Sequence, residues 1–189
     1  FFALAMRRRM GFRDLRLLGE SVSADGYAQA KDVLKIVVGL AAMFEGIGIL
    51  LLMFAFVPQF GLEGIWISIF TAISAFCNAG FDLIGIKEPF SSLTSYSSQP
   101  FFNFTVMSLI IIGGIGFLTW EDINNNKLHF RKYRMQSKVI LTVTGILIIL
   151  PSLYFFFFEY QNLPLGERIL TSLFQSVTPR TAGFNTTDL

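Results

Sequence analysis

Apolar residues in this chain are gathered into blocks with polar breaks between them. Residues 33–57 form a block long enough to cross the hydrocarbon of a bilayer as one helix. That helix is expected to begin near Tyr27, with Lys31, Asp32 and Lys35 in its wet first turns, and to stop at Pro58. Residues 65–76 are as apolar but number only about twelve, near 18 Å of helix against a hydrocarbon core of about 30 Å. Such a block cannot span. It reads as a re-entrant half-helix, followed by an extended return at residues 78–82 and a serine-rich outer loop at 83–99. Pro100 prepares a second full span, 101–120, which ends at Glu121 and Asp122. A third span covers 139–158, with a kink expected at Pro151. Pro164 favours the start of a second short block, 165–178, and residues 181–185 are its return.

The two short blocks end alike. Asn78-Ala79-Gly80-Phe81-Asp82 closes the first and Thr181-Ala182-Gly183-Phe184-Asn185 closes the second. Aligning Gly80 with Gly183 sets Asn78 opposite Thr181 and Phe70 opposite Leu173, so span, half-span and glycine turn are written twice. A repeat of this kind implies an architecture more firmly than any single residue does. The expected fold is all-α and transmembrane, built from repeated units of helix, pore half-helix, filter loop and helix. In cation pores such a unit lets backbone oxygens at the turn replace the water around a dehydrated ion. Taken singly, each turn also reads as a glycine cap on a helix that ends at the membrane boundary. The expected division is 1–26, the end of a first unit's inner helix plus a linker; 27–122, a complete second unit; 123–138, a second linker; and 139–189, a third unit as far as its filter turn. The hydrophobic pattern is cut at both ends, which suggests an internal piece of a longer protein.

The chain is 53% hydrophobic and carries 22 phenylalanines, a composition suited to lipid as the main solvent. Its formal charge of +2 is too small to suggest a nucleic-acid partner. Of the 15 Lys and Arg residues, 12 fall in residues 7–35 and 127–138, which the positive-inside rule places in the cytoplasm. The charge-poor loops around Lys87 and at 159–168 then lie outside, with both Ala-Gly-Phe turns near that face. Cys77 is the one cysteine, so no disulfide forms within the chain, and His129 is the one histidine, which leaves a transition-metal site without support.

Residues 74–83 and 176–186, which hold the two turns, resemble the Trk/Ktr/HKT superfamily of potassium transporters. Ile112-Gly113-Gly114-Ile115-Gly116-Phe117, Trp120-Glu121-Asp122-Ile123 and Phe44-Glu45-Gly46-Ile47-Gly48 add to the likeness, which covers nearly the whole chain and is greatest to the membrane subunits of bacterial Ktr systems. The resemblance implies four units around one pore and a multi-pass protein of the plasma (bacterial inner) membrane. It also implies a homodimer, a cytosolic nucleotide-binding regulatory ring, and uptake of potassium with sodium as a stimulating ion. No cofactor is expected in this chain, and nucleotide only on the cytosolic partner. Potassium channels carry a second filter glycine where this chain has Asp82 and Asn185, which implies a shorter stack of ion sites.

Glycine lacks Cβ and reaches backbone angles that turn successive carbonyls inward. Gly80 and Gly183 are therefore the leading filter residues, with the carbonyls of Asn78, Ala79, Thr181 and Ala182 as further ligands. Phe81 and Phe184 complete the filter segments and are expected to pack outward against the half-helices. Asp82 would concentrate cations at the outer mouth, and Asn185 stands at the same place in the second turn. Arg180, one residue before the second turn, either repels cations or pairs with a carboxylate behind the filter, the pairing being the expected role. Glu45, halfway along a span, is either a cation stop or proton-linked site, or a hydrogen-bonded brace against a half-helix. Gly113, Gly114 and Gly116 are either a hinge or a surface for close helix packing. Cys77 is expected to pack behind the filter. The run Arg131-Lys132-Tyr133-Arg134 is a topology anchor, or a contact for anionic lipid or a cytosolic regulator. Two other classes remain open: a broken-helix solute carrier, and an intramembrane enzyme, for which the spans offer no histidine base.

Overall fold

A computed structural model describes residues 27–84, 92–127 and 129–187, with side chains described from Lys35 onward. The expected helix end at 1–6, the linker to residue 26 and the loop around Lys87 lie outside the described residues. The chain divides into two compact units within its first helix, 1–43 and 44–189. Every regular element among the described residues is helical: α1 Tyr27–Phe60, α2 Glu63–Phe76, α3 Pro100–Ile115, α4 Phe117–Asn126, α5 Met135–Tyr154 and α6 Leu165–Val177.

Two helical stretches are long and apolar enough to cross a bilayer, Lys35–Phe60 and Met135–Glu159. Their exposed faces are as apolar as their buried ones, with Phe54, Leu50, Leu150 and Phe158 all more than half exposed. A helix that is hydrophobic all round belongs in lipid or among other membrane helices. Pro58 does not stop α1. The helix runs on to Phe60 and ends at Gly61, whose φ of +60° turns the chain. Proline clashes only with the turn before it, so a helix tolerates one near its end. The irregularity near Pro151 lies just after it, where residues Phe155–Glu159 wind as a π-helix.

The expected span at 101–120 is corrected by the structure. Helix α3 stops at Ile115, Gly116 takes φ +86°, and α4 leaves at 95° to α3. At roughly 1.5 Å per residue the 16 residues of α3 reach about 24 Å, and the chain then turns aside. Trp120 braces the break: its Nε1 donates to the Ile112 carbonyl at 3.0 Å, and its ring lies 4.8 Å from that of Phe44. That carbonyl is one of those a helix end leaves without an internal partner.

Helix α2 packs along α3, and α6 packs along both α5 and α3. Two knots hold this arrangement. Near the start of α2, the buried rings of Phe56, Tyr96 and Phe102 meet at 4.6–5.4 Å between centroids. Tyr96 Oη donates to Gln59 Oε1 at 2.6 Å, and the Asn103 amide donates to the carbonyls of Tyr96 and Gln99 at 2.8 and 2.9 Å. The other knot sits at the basic linker. Asp122 is buried there, and its Oδ2 accepts from the Ser137 hydroxyl at 2.6 Å and from the Arg134 amide at 3.0 Å. The Asp122 carboxylate thus caps the start of α5 and ties it to α4, with Arg134 paired to Glu121 at 3.0 Å.

Candidate functional site

Helices α2 and α6, of 14 and 13 residues, each lead into an Ala-Gly-Phe turn, the second by way of a 3-10 turn at Thr178–Arg180. The two turns are built by matching hydrogen bonds. The Asn78 amide donates to the Ala75 carbonyl, and 103 residues on, the Thr181 amide donates to that of Thr178. A hydroxyl from the end of each half-helix then reaches across the loop. Ser74 Oγ donates to the Phe81 carbonyl at 2.7 Å, and Thr178 Oγ1 donates to the Phe184 carbonyl at 2.7 Å. Past the glycines, Asp82 Oδ1 accepts from the Ile84 amide at 3.1 Å and Asn185 Oδ1 accepts from the Thr187 amide at 3.2 Å. Both are side chains closing a turn on the backbone two residues ahead, which Asp and Asn do equally well.

The glycines are not the helix caps. In the first return the left-handed residue at the end of the helix is Asn78, with φ +55°. Gly80 and Gly183 lie beyond the cap, with φ of +73° and +80°. Such angles cost an L-residue roughly 1–2 kcal/mol.

The turns adjoin each other. A Cβ on Gly80 would stand 1.7 Å from the Ala182 carbonyl oxygen, so only a bare Cα fits against the second turn. Thr181 Oγ1 donates to Asn78 Oδ1 at 2.8 Å. Beyond the glycines, the Leu93 amide donates to the Asn185 carbonyl at 2.8 Å and the Asn185 amide to Ser92 Oγ at 3.2 Å. Segments a hundred residues apart thus share one wall. Ala79, Thr181 and Gly183 are exposed on it, and Ala182 is buried.

Several side chains stand elsewhere than expected. Phe184 is buried, but Phe81 is 69% exposed beside Trp66, Ile69 and Ile73. Helix α6 lies against both α5 and α3, whereas α2 packs mainly along α3. Cys77 is exposed rather than packed. Arg180 finds a hydroxyl instead of a carboxylate: its Nη2 faces Thr144 Oγ1 on α5 at 3.4 Å, and its buried Nη1 has no partner among the described residues. Glu45 is half-buried on α1.

The three glycines of α3 and its break differ in their surroundings, and close packing is seen at one of them. A Cβ on Gly113 would meet the Phe76 carbonyl oxygen at 1.8 Å, so Gly113 lets α3 touch the end of α2. Gly114 stands near the Asn78 amide group, and Gly116 makes the break. Sequence reasoning did not find the Ser74 and Thr178 hydroxyls. The signal was present as a hydroxyl six or seven residues before each Phe.

The family model described as "Cation transport protein", TrkH, matches residues 7–189. The potassium/sodium uptake protein NtpJ of Enterococcus hirae is 36% identical over all of this chain and 42% of its own length. The Ktr system potassium uptake protein B of Bacillus subtilis is 33% identical over 98% of the chain and 42% of its own, and that of Vibrio alginolyticus 32% over 96% and 40%. The chain thus spans about two-fifths of the length of these relatives. With its helical membrane architecture and its doubled half-helix and glycine turn, this chain belongs to the TrkH family of cation transport proteins.

Proposed function

We propose that this chain forms part of the ion-conducting wall of a potassium uptake protein, in which dehydrated monovalent cations pass a constriction lined by backbone carbonyls. The observation that carries the reading is the close approach of the two turns, with the Gly80 Cα set against the Ala182 carbonyl oxygen. Carbonyls gathered from separate loops can stand in for the hydration shell of an alkali cation. The hydroxyls of Ser74 and Thr178 hold the carbonyls of Phe81 and Phe184 on their own half-helices. That leaves the carbonyls of Asn78, Ala79, Gly80, Thr181, Ala182 and Gly183 to serve the ion. Each half-helix ends at its turn, so the partial negative charge of its C-terminus favours a cation there. Potassium is the proposed principal substrate, with sodium as a second or stimulating ion, since one relative is named for both.

The pathway would be completed by further units of the whole protein, and the protein would carry ions down their electrochemical gradient without chemistry on a substrate. A homodimer regulated by a cytosolic nucleotide-binding ring is proposed from the family resemblance, and two relatives are named as components of a system. Rubidium uptake by the full-length protein in cells lacking their own potassium uptake tests the reading. Uptake that depends on both Gly80 and Gly183 is the expected result. If Gly183→Ser left ion preference unchanged, the filter assignment would be wrong.

A further inference from the structure

We propose that the Thr181–Asn78 hydrogen bond is a clasp between the two filter turns that sets their ion preference. The inference rests on the filter reading above. The bond joins equivalent positions of the two repeats, 103 residues apart, at 2.8 Å. Its direction follows from the Asn78 amide. The Asn78 Nδ2 lies 3.4 Å from the Phe76 carbonyl oxygen, a contact that only the nitrogen side makes favourably, so Oδ1 is the atom turned to Thr181. An amide oxygen only accepts, so the single proton of the threonine hydroxyl is committed to the bond. Thr181 is exposed on the shared wall.

The clasp also pins the separation of the turns. On the far side of the glycines, Asn185 is tied to Leu93 and Ser92. Between these ties the Gly80 backbone rests on the Ala182 carbonyl. A seam fixed on both sides of the carbonyls cannot easily contract around a smaller ion. The residue types suit such a clasp. Position 78 needs φ +55°, which Asn adopts more readily than other residues with a side chain, and it needs an acceptor.

The test uses the full-length protein in vesicles, with rubidium and sodium flux measured side by side. Thr181→Val removes the proton at constant volume, and Asn78→Gly removes the acceptor while tolerating positive φ. Each is expected to lower the preference for rubidium over sodium by about five- to tenfold, the scale of one net hydrogen bond. The double variant should be no worse than the poorer single one, and Thr181→Ser should keep most of the preference. Because Thr181 is exposed, its substitutions spare the packing, and Thr181→Ala reads the same loss if the valine protein is not recovered. Unchanged preference in both single variants, or losses that multiply in the double, would overturn the clasp. Gly80→Ala separates the two readings. If it alters preference and the clasp variants do not, only the clasp fails; if it too leaves preference intact, the filter itself is misassigned.

Discussion

Replacing Gly80 by alanine adds one methyl group at the point where the two turns touch. That carbon would stand 1.7 Å from the Ala182 carbonyl oxygen and 2.8 Å from its carbon, while real contacts of this kind stay beyond 3.0 Å. The carbonyl must therefore retreat by more than an ångström, or the first turn must swing away by as much. Either movement takes backbone oxygens off the path that a dehydrated ion would follow. Holding alanine at φ +73° adds roughly 1–2 kcal/mol of backbone strain. In a site that works by position, a displacement of about 1 Å costs on the order of a hundredfold in rate. Rubidium uptake by the full-length protein should fall by about that factor, at unchanged protein level in the membrane. Gly116→Ala supplies the comparison: that glycine also has positive φ, at +86°, but nothing beyond its own chain neighbours lies within 4 Å of the new carbon. It should show the strain without the collision. Uptake by Gly80→Ala equal to that of Gly116→Ala, with unaltered ion preference, would refute the reasoning, because the predicted clash would then have no consequence for the pathway.

Gly113→Ala drives a methyl group to 1.8 Å from the Phe76 carbonyl oxygen, so α3 and α2 must part; a lower thermal midpoint in detergent, together with reduced uptake, is expected. Asp82→Asn should keep the stability of the parent, because Asn185 closes the same turn in the twin loop; Asp82→Ala should lose about 1 kcal/mol in thermal unfolding, and equal losses in both would point to charge as the feature that matters. Asp122→Ala leaves the Ser137 hydroxyl and the Arg134 amide without their acceptor; a loss of about 1–3 kcal/mol is expected by thermal unfolding, and a stability unchanged from the parent would show that the α4–α5 knot contributes nothing.

The fold was legible wherever it depended on length and local chemistry. A twelve-residue apolar block cannot bridge the hydrocarbon whatever surrounds it, and α2 is accordingly short. Pro164 stands immediately before α6, as its fixed φ and missing amide proton favour. The repeat was legible because glycine at 80 and 183 answers a backbone requirement, and such requirements recur with the fold. Breaks were less legible. Gly116 ends α3, whereas Gly113 and Gly114, in the same apolar run, lie inside the helix; the sequence shows three glycines and nothing that ranks them. Pro58 looked like a stop and is not one, because the helix had only half a turn left to run.

What the amino-acid order determined by itself was the set of parts: long apolar helices, short apolar helices, two glycine turns, and the uneven spread of positive charge. Each of these follows from local backbone limits and from the cost of placing polar groups in lipid. Only the tertiary structure decided how the parts meet. It set Gly80 against Ala182, joined Asn78 to Thr181, gave Arg180 a threonine hydroxyl for company, and buried Phe184 while leaving Phe81 open. These are contacts between residues far apart in the chain, fixed by the packing of α6 on α3 and α5, and no spacing within a single segment records them.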